Sequence, residues 1–106
     1  MAVLVMFDSP ARRADAEAIT DSMNVRDDPP NGLIFHVITE VPQGVRVYDV
    51  WESEADFQQF ARGRLLPAGR AYSLERGLPM DAPMPPLTVI EAFDLVRGAN
   101  TRVGQR

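Results

Sequence analysis

The sequence predicts a single α+β domain whose strands and helices follow the order β-α-β-β-α-β. Apolar, β-favouring runs occupy 2–7, 33–40, 45–52 and 87–96, helical segments with start signals follow the first and third runs, and a short turn joins the middle two. A chain of 106 residues with 45% hydrophobic content supports one core. We therefore expect one domain over 1–97 and a flexible tail over 98–106.

The first strand, residues 2–7, is a continuous apolar run, which is typical of a central strand buried on both faces. Ser9 and Pro10 follow it and form a helix start signal, with Ser9 as the cap and Pro10 at the first helical position. The helix is expected to end near Asn24. The polar stretch 26–32, rich in Asp, Pro and Gly, is expected to be a loop.

The two middle strands are joined by the turn Val41-Pro42-Gln43-Gly44, and the predicted register pairs Val41 with Val45. The same register also pairs Glu40 with Arg46. Because side chains alternate between faces, it places His36, Ile38 and Tyr48 on one face of the sheet, and Phe35, Asp49 and Trp51 on the other. Both faces are largely apolar, so the register alone leaves open which set lines a pocket under the helices.

The second helical segment is expected to begin at Ser53, which caps it together with Asp56. Leu65-Leu66-Pro67 is expected to interrupt it, and Pro67 restarts a helix that ends at Gly77. Residues 78–86 form a connection rich in Pro and Met. The last strand is predicted over 87–96.

Right-handed crossovers in this order place the first and third strands at the centre of an antiparallel, ferredoxin-like sheet. The helices then cover only one face, and the other face is too apolar for water. We therefore expect a homodimer that pairs two such sheets around a hydrophobic small-molecule pocket.

Composition disfavours several function classes. The chain has a net charge of -4, no cysteine, no lysine and one histidine. Its arginines are scattered among acids, which disfavours nucleic acid as a partner, and the missing cysteines and single histidine disfavour a metal site. The N-terminus lacks the pattern of a signal peptide and the apolar runs are too short to span a bilayer, so we expect a cytoplasmic protein with no membrane partner.

The strand that ends in Asp49-Val50-Trp51-Glu52-Ser53, followed by Phe57 and Phe60, resembles the dimeric α/β-barrel superfamily, in particular its antibiotic-biosynthesis-monooxygenase-like branch. The resemblance spans most of the chain, and it includes a strand at 32–39 that contains His36. It implies a dimeric barrel and chemistry on small molecules. The branch includes cofactor-independent monooxygenases of polyketide quinones, haem-degrading enzymes, polyketide cyclases and isomerases.

Two departures from the family pattern limit what the resemblance implies. The quinone monooxygenases combine the strand tryptophan with an asparagine and a tyrosine, whereas this sequence has Val47 and Phe57 at those positions. The haem-degrading enzymes ligate iron with a histidine on the following helix, where this sequence has Ala61. Neither of these sites carries over.

His36 and Tyr48 are the candidate catalytic residues. Histidine is the side chain whose ordinary pKa lies near neutrality, so His36 is a candidate general base or acid, and Tyr48 could donate a hydrogen bond to a developing enolate or phenolate. The alternative for His36 is a core histidine bonded to a backbone carbonyl. The candidate substrate-binding residues, at the strands, the second helix and the pocket mouth, are Phe35, Ile38, Asp49, Trp51, Phe57, Phe60, Tyr72 and Met84.

Some of these residues have alternative interpretations. Trp51 is a core or pocket-wall aromatic rather than a reacting group. Asp49 either pairs with an arginine such as Arg64 or Arg70, which we favour, or is an acid inside the pocket.

We expect an enzyme that needs no metal or organic cofactor and performs acid–base chemistry, such as cyclisation, dehydration or isomerisation, on a hydrophobic aromatic or polyketide-like substrate. One alternative is a cofactor-independent monooxygenase of the antibiotic-biosynthesis type. Another is a non-catalytic ligand-binding dimer.

Overall fold

A computed structural model describes residues 1–78 and 85–98 of the chain. Its strands are β1 (Val3–Ser9), β2 (Leu33–Val41), β3 (Gly44–Trp51) and β4 (Thr88–Glu91). Its helices are α1 (Arg13–Met23), α2 (Glu54–Phe60) and α3 (Leu66–Glu75), and a π-helical turn, Ala61–Leu65, joins α2 to α3. Met84 and all of the expected tail except Gly98 lie outside the described residues.

The four strands form one antiparallel sheet in the order β2-β3-β1-β4. The first and third strands of the sequence are central, as the crossover rule predicts. The ferredoxin-like α+β fold is therefore confirmed. No helix within 1–78 or 85–98 is long and apolar enough to cross a membrane.

The boundary between β1 and α1 differs from the prediction. Ser9 still belongs to β1, where it pairs with Val45, and α1 begins only at Arg13. The Ser9 hydroxyl accepts a hydrogen bond from the backbone N–H of Ala11, so it closes a local turn rather than capping the helix. The C-terminus agrees with the prediction, because α1 ends at Met23 and is capped by Asn24, which adopts the left-handed conformation with φ of 55°.

The hairpin register is shifted by one residue from the predicted one. Val41 pairs with Gly44 rather than with Val45, so His36 lies opposite Asp49 and Val37 opposite Tyr48. A shift of one residue moves every side chain of a strand to the other face relative to its partner. The predicted grouping of His36 with Tyr48 is therefore wrong.

Close contact with β1 accounts for this register. Gly44 has φ of +147°, and a Cβ atom added there would lie 2.1 Å from the carbonyl oxygen of Ser9. Only glycine allows the hairpin to approach the end of β1 so closely. The predicted pair between Glu40 and Arg46 is also absent, since Arg46 binds Asp8 at 2.6 Å instead.

Ser53 caps α2 as predicted, and its hydroxyl oxygen accepts a hydrogen bond from the backbone N–H of Asp56 at 3.1 Å. The expected interruption before Pro67 does not occur. The chain instead widens into the π-helical turn, in which the N–H of Leu66 bonds to the carbonyl of Ala61. A proline lacks an N–H and its ring clashes with the carbonyl four residues earlier, and this wider turn relieves both problems without ending the helix.

The last strand is shorter than predicted. It covers Thr88–Glu91 rather than 87–96, and its pairing with β1 ends where Glu91 lies opposite Val3. One more backbone bond follows, from Ala92 to Ala2.

The helices cover one face of the sheet. Every second residue of β3 is buried, and the core beneath the helices combines Val3, Val5, Trp51, Phe57 and Ala61. We call the opposite side the open face, and it carries Leu4, Met6, Phe35, Val37, Tyr48, Val50 and Ile90. Phe35, Val37 and Ile90 are among its exposed residues.

Candidate active site

The centre of the candidate site is the carboxylate of Asp49 on β3. Its Oδ1 atom lies 2.6 Å from Nδ1 of His36, and its Oδ2 atom accepts a hydrogen bond from Nε1 of Trp51 at 3.2 Å. The three residues form the His36–Asp49–Trp51 cluster. The strand pairing explains it, because His36 is the cross-strand neighbour of Asp49, and Trp51 lies two residues along the same strand and hence on the same face.

Asp49 is almost completely buried, with 4% of its side chain exposed. A buried carboxylate needs partners, and here each oxygen has one. The expected ion pair with Arg64 or Arg70 is not formed among the residues that the structure describes. Arg64 instead donates to the backbone carbonyls of Met23 and Asp28 and to the carboxylate of Asp28, which ties the end of α1 to the helix that follows β3.

The contact with Asp49 determines which nitrogen of His36 is free. An ionised carboxylate only accepts hydrogen bonds, so in the neutral imidazole Nδ1 carries the proton and Nε2 presents the lone pair. The His36 side chain is 27% exposed, and no hydrogen bond joins its Nε2 atom to another residue of the described chain. His36 is thus not a fully bonded core histidine. It has the arrangement of a general base held by a carboxylate.

His36 borders a cavity between the helix-covered face of the sheet and the helices. The cavity has a volume of about 110 Å³, and its wall is apolar except for a few side chains. Residues of β1, α1, the sheet hairpin and the second helical segment contribute to it, among them Phe7, Ile19, Thr20, Met23, Ile38, Val47, Phe60 and Leu65. An engineered protein cavity of about 150 Å³ holds benzene, so this cavity approaches the size that encloses one aromatic ring without reaching it.

A second, more polar space adjoins the cavity along α1 and β2. This groove has a volume of about 540 Å³, and its charged side chains are Arg13, Glu17, Arg26 and Glu40. Arg13 forms ion pairs with Glu17 at 3.2 Å and Glu40 at 3.5 Å. His36 borders both the cavity and the groove, so its side chain lies where an apolar compartment opens toward a polar one.

Five of the predicted site residues meet at the cavity wall, namely His36, Ile38, Asp49, Trp51 and Phe60. Phe57 does not border the cavity. It is fully buried against Trp51, with 5.8 Å between the two ring centroids in an edge-on arrangement. Phe60 packs closer to Trp51, at 5.2 Å between ring centroids. The aromatic residues after Ser53 therefore support and complete the cavity.

The remaining predicted residues lie elsewhere. Phe35 and Tyr48 are on the open face, where their cross-strand neighbours are Val50 and Val37, so the sheet separates Tyr48 from His36. Tyr72 is not among the residues that border the cavity.

Tyr72 joins α3 to α1. Its hydroxyl donates a hydrogen bond to Asp15, which raises the pKa of Tyr72 and lowers that of Asp15. The guanidinium carbon of Arg76 lies 3.9 Å from the centre of the tyrosine ring. The ring thus connects two helices of the layer that covers the sheet.

The sequence reasoning missed the contribution of α1. Ala16, Ile19, Thr20 and Met23 all border the cavity. Their spacing is that of one helix face, and this periodicity was available in the sequence. The described part of the chain contains no group of three His, Asp or Glu side chains that could hold a metal ion.

No protein-family model matches the chain, and no curated protein matches it in sequence. Solved structures do match. NE2512, a protein of unknown function from Nitrosomonas europaea, is 17% identical with a TM-score of 0.57, and the match covers 93% of this chain and 94% of that one. Rv0793 from Mycobacterium tuberculosis is 19% identical with a TM-score of 0.53, covering 91% and 97%.

SnoaB, a cofactor-independent oxygenase from Streptomyces nogalater, is 16% identical with a TM-score of 0.54, and the match covers 90% of this chain and 94% of that one. At these identities the likeness concerns the fold. The chain has the ferredoxin-like α+β fold that these solved structures share, which confirms the fold class expected from its sequence.

Proposed function

We propose that the protein is a small-molecule enzyme that removes a proton from a hydrophobic, aromatic or polyketide-like substrate, with His36 as the general base. The observation that carries this proposal is the 2.6 Å contact between His36 and buried Asp49 at the wall of an apolar cavity. A phenol or an enolisable ketone can enter such a cavity with its ring, and it offers Nε2 an acidic proton.

Asp49 is a positioning residue in this proposal. It holds the imidazole with its lone pair on Nε2, and its negative charge stabilises the imidazolium that forms when Nε2 accepts the proton. Trp51 fixes the carboxylate in turn through its Nε1–H. The reaction class that requires no further group is cyclisation, dehydration or isomerisation, because each of these begins with removal of a proton next to a carbonyl group or from a hydroxyl.

Cofactor-independent oxygenation is the second candidate. It is favoured by the likeness in fold to SnoaB, which is a cofactor-independent oxygenase. Both candidates share the first step, in which the substrate proton moves to Nε2 of His36. They differ afterwards, because in oxygenation the electron-rich anion reacts with molecular oxygen and a carbon–oxygen bond forms.

The deciding experiment incubates the protein with a panel of hydroxylated aromatic polyketides, in air and under argon, and records product masses. An unchanged mass or the loss of water in both atmospheres supports acid–base chemistry alone, whereas a gain of oxygen that requires air supports oxygenation. His36→Gln is expected to lower either turnover by about 10² to 10⁴, the usual contribution of a general base. Turnover that survives this substitution would exclude His36 as the base.

Tyr48→Phe is the matched control for that experiment. It removes a hydroxyl from the same hairpin but on the open face. Turnover is expected to persist in this variant, since the sheet lies between Tyr48 and the cavity.

We further propose that a second copy of the chain covers the open face. The supporting observations are its exposed apolar side chains, including Phe35, Val37 and Ile90, and the segment after β4, where Phe93 is 94% exposed. A contiguous apolar surface of this kind is unusual on a monomer. A domain of this size buries a limited share of its surface, so burial of additional apolar surface at a subunit interface also adds noticeably to its stability.

A further inference from the structure

Thr20 on α1 is a nearly buried polar residue whose hydroxyl is unused by the protein. The residue is 8% exposed, and no hydrogen bond joins its side chain to any residue in 1–78 or 85–98. No side-chain oxygen in this part of the chain is both fully enclosed and unbonded. The Thr20 hydroxyl must therefore retain access to the space beside it, which is the cavity and its groove.

The Thr20 hydroxyl does not form the hydrogen bond that a helical threonine usually forms within its own helix. Threonine and serine inside helices commonly bond to a carbonyl one turn earlier. Ser22, two residues further along α1, does this with the carbonyl of Ile19 at 2.7 Å. Thr20 forms no such bond, so its donor remains available to a molecule in the cavity.

The position of Thr20 relative to His36 indicates what that molecule offers. Both residues border the cavity as well as the groove, so both lie where the two spaces meet. Thr20 belongs to the helix wall of this junction and His36 to the sheet wall. A substrate group placed there can meet the Thr20 hydroxyl from one wall and the His36 side chain from the other.

We propose that the Thr20 hydroxyl binds the oxygen atom of the substrate whose proton passes to His36. This inference rests on the proposed function of His36. When the O–H proton moves to Nε2, the substrate oxygen becomes negative, and the Thr20 hydroxyl donates a hydrogen bond to that charge. The substrate class is accordingly an aromatic ring that bears an ionisable hydroxyl, with the ring in the cavity and any polar extension in the groove.

The test compares two probes that differ only in a hydroxyl, p-cresol and toluene, by calorimetric titration. Thr20→Val keeps the shape of the side chain and removes the donor, and it is expected to weaken p-cresol binding about two- to tenfold, the value of one hydrogen bond, without changing toluene binding. Thr20→Ser keeps the hydroxyl and is expected to bind p-cresol as the natural protein does. Ser22→Ala removes a hydroxyl from the exposed side of the same helix and is the control, with unchanged binding of both probes.

A third probe separates this inference from the proposed function. Bound p-nitrophenol reports its ionisation by its absorbance. At a pH below the pKa of the free phenol, the natural protein is expected to bind it as the phenolate, whereas His36→Gln is not. Two results would overturn the role of Thr20. One is that Thr20→Val prefers p-cresol over toluene as strongly as the natural protein does. The other is that neither protein prefers p-cresol over toluene. Binding of p-nitrophenol only in its neutral form would overturn the role of His36 instead.

Discussion

Nδ1 of His36 lies 2.6 Å from Oδ1 of Asp49, and the two residues are direct cross-strand neighbours in the sheet. The backbone ladder itself therefore aligns the imidazole with the carboxylate. Strand residues are held more firmly than loop residues, so this pair needs little reorganisation before it accepts a proton.

Asp49→Asn tests how the cluster sets the tautomer of His36. Trp51 can only donate, so the amide oxygen of the variant is expected to turn toward Trp51 and the amide N–H₂ group toward Nδ1 of His36. Nδ1 must then accept, and the proton moves to Nε2, which destroys the base. We expect nitrogen NMR of the single imidazole to show this exchange, and turnover to fall about a hundredfold or more.

Asp27→Asn is the control for the amide substitution, because Asp27 is exposed and lies outside the cluster. It is expected to leave the imidazole spectrum unchanged. An Asp49→Asn protein that still carries its proton on Nδ1 would contradict the predicted role of Trp51 in orienting the carboxylate.

Trp51→Phe tests the other side of the cluster. The substitution removes the donor to Asp49, leaves a buried oxygen without a partner, and vacates part of the core against Phe57 and Phe60. We expect the free energy of unfolding to fall by about 2–4 kcal/mol. Chemical denaturation followed by circular dichroism measures it, and a variant as stable as the natural protein would show that the indole hydrogen bond contributes nothing.

The order of the elements, the central position of β1 and β3 and the cap at Ser53 followed from local patterns and from the handedness of crossovers. The grouping of the site residues did not follow from local patterns. The turn before Gly44 is compatible with two registers that differ by one residue, and the contact of Gly44 with Ser9 selects between them. That contact joins positions distant in sequence, so the local pattern alone places His36 on the face of Tyr48 rather than on that of Asp49.

Gly44→Ala tests this explanation of the register. The new methyl group would lie 2.1 Å from the carbonyl oxygen of Ser9, at a φ of +147° that side chains rarely adopt. We expect a loss of about 2 kcal/mol or more, together with weakened pairing between β1 and β3. Denaturation and amide hydrogen exchange in β1 measure the two effects.

Gly69→Ala is the matched control, because Gly69 lies inside α3 with no atom within 4 Å of the added methyl. Alanine is the better helix former, so this variant is expected to gain about 0.5–1 kcal/mol. If the two substitutions changed the free energy of unfolding equally, the contact of Gly44 with Ser9 would not explain the register.

The bond between Tyr72 and Asp15 predicts a pH dependence at both ends of the scale. The hydrogen bond to Asp15 raises the pKa of Tyr72, so the stability it contributes is present below the ordinary tyrosine pKa and is lost as pH rises through the raised value. The same bond lowers the pKa of Asp15, so that contribution is present above the ordinary aspartate pKa and is lost as pH falls through the lowered value.

Ultraviolet titration of Tyr48→Phe, which leaves Tyr72 as the single tyrosine, measures the alkaline side directly. We expect Tyr72 to ionise above the usual value of about 10 for tyrosine. Adding Asp15→Asn is expected to lower this pKa, because the amide is uncharged and no longer favours the protonated phenol. A tyrosine that titrates identically with and without Asp15 would contradict the contact.

Val37→Glu tests the proposed dimer. Val37 lies on the open face opposite Tyr48 and is half exposed in the single chain, so a glutamate there would be tolerated by a monomer. In a dimer the same carboxylate would be buried against an apolar partner surface without a counter-charge, which is strongly unfavourable. We expect sedimentation to show a dimer for the natural protein and a folded monomer for the variant.

Leu74→Glu on α3 is the control for this experiment. It introduces the same group at an exposed apolar position away from the open face, and the variant should remain dimeric. Because Phe93 and Val96 are also exposed beyond β4, a natural chain that sediments as a monomer would leave this apolar surface unexplained and would refute the proposed pairing.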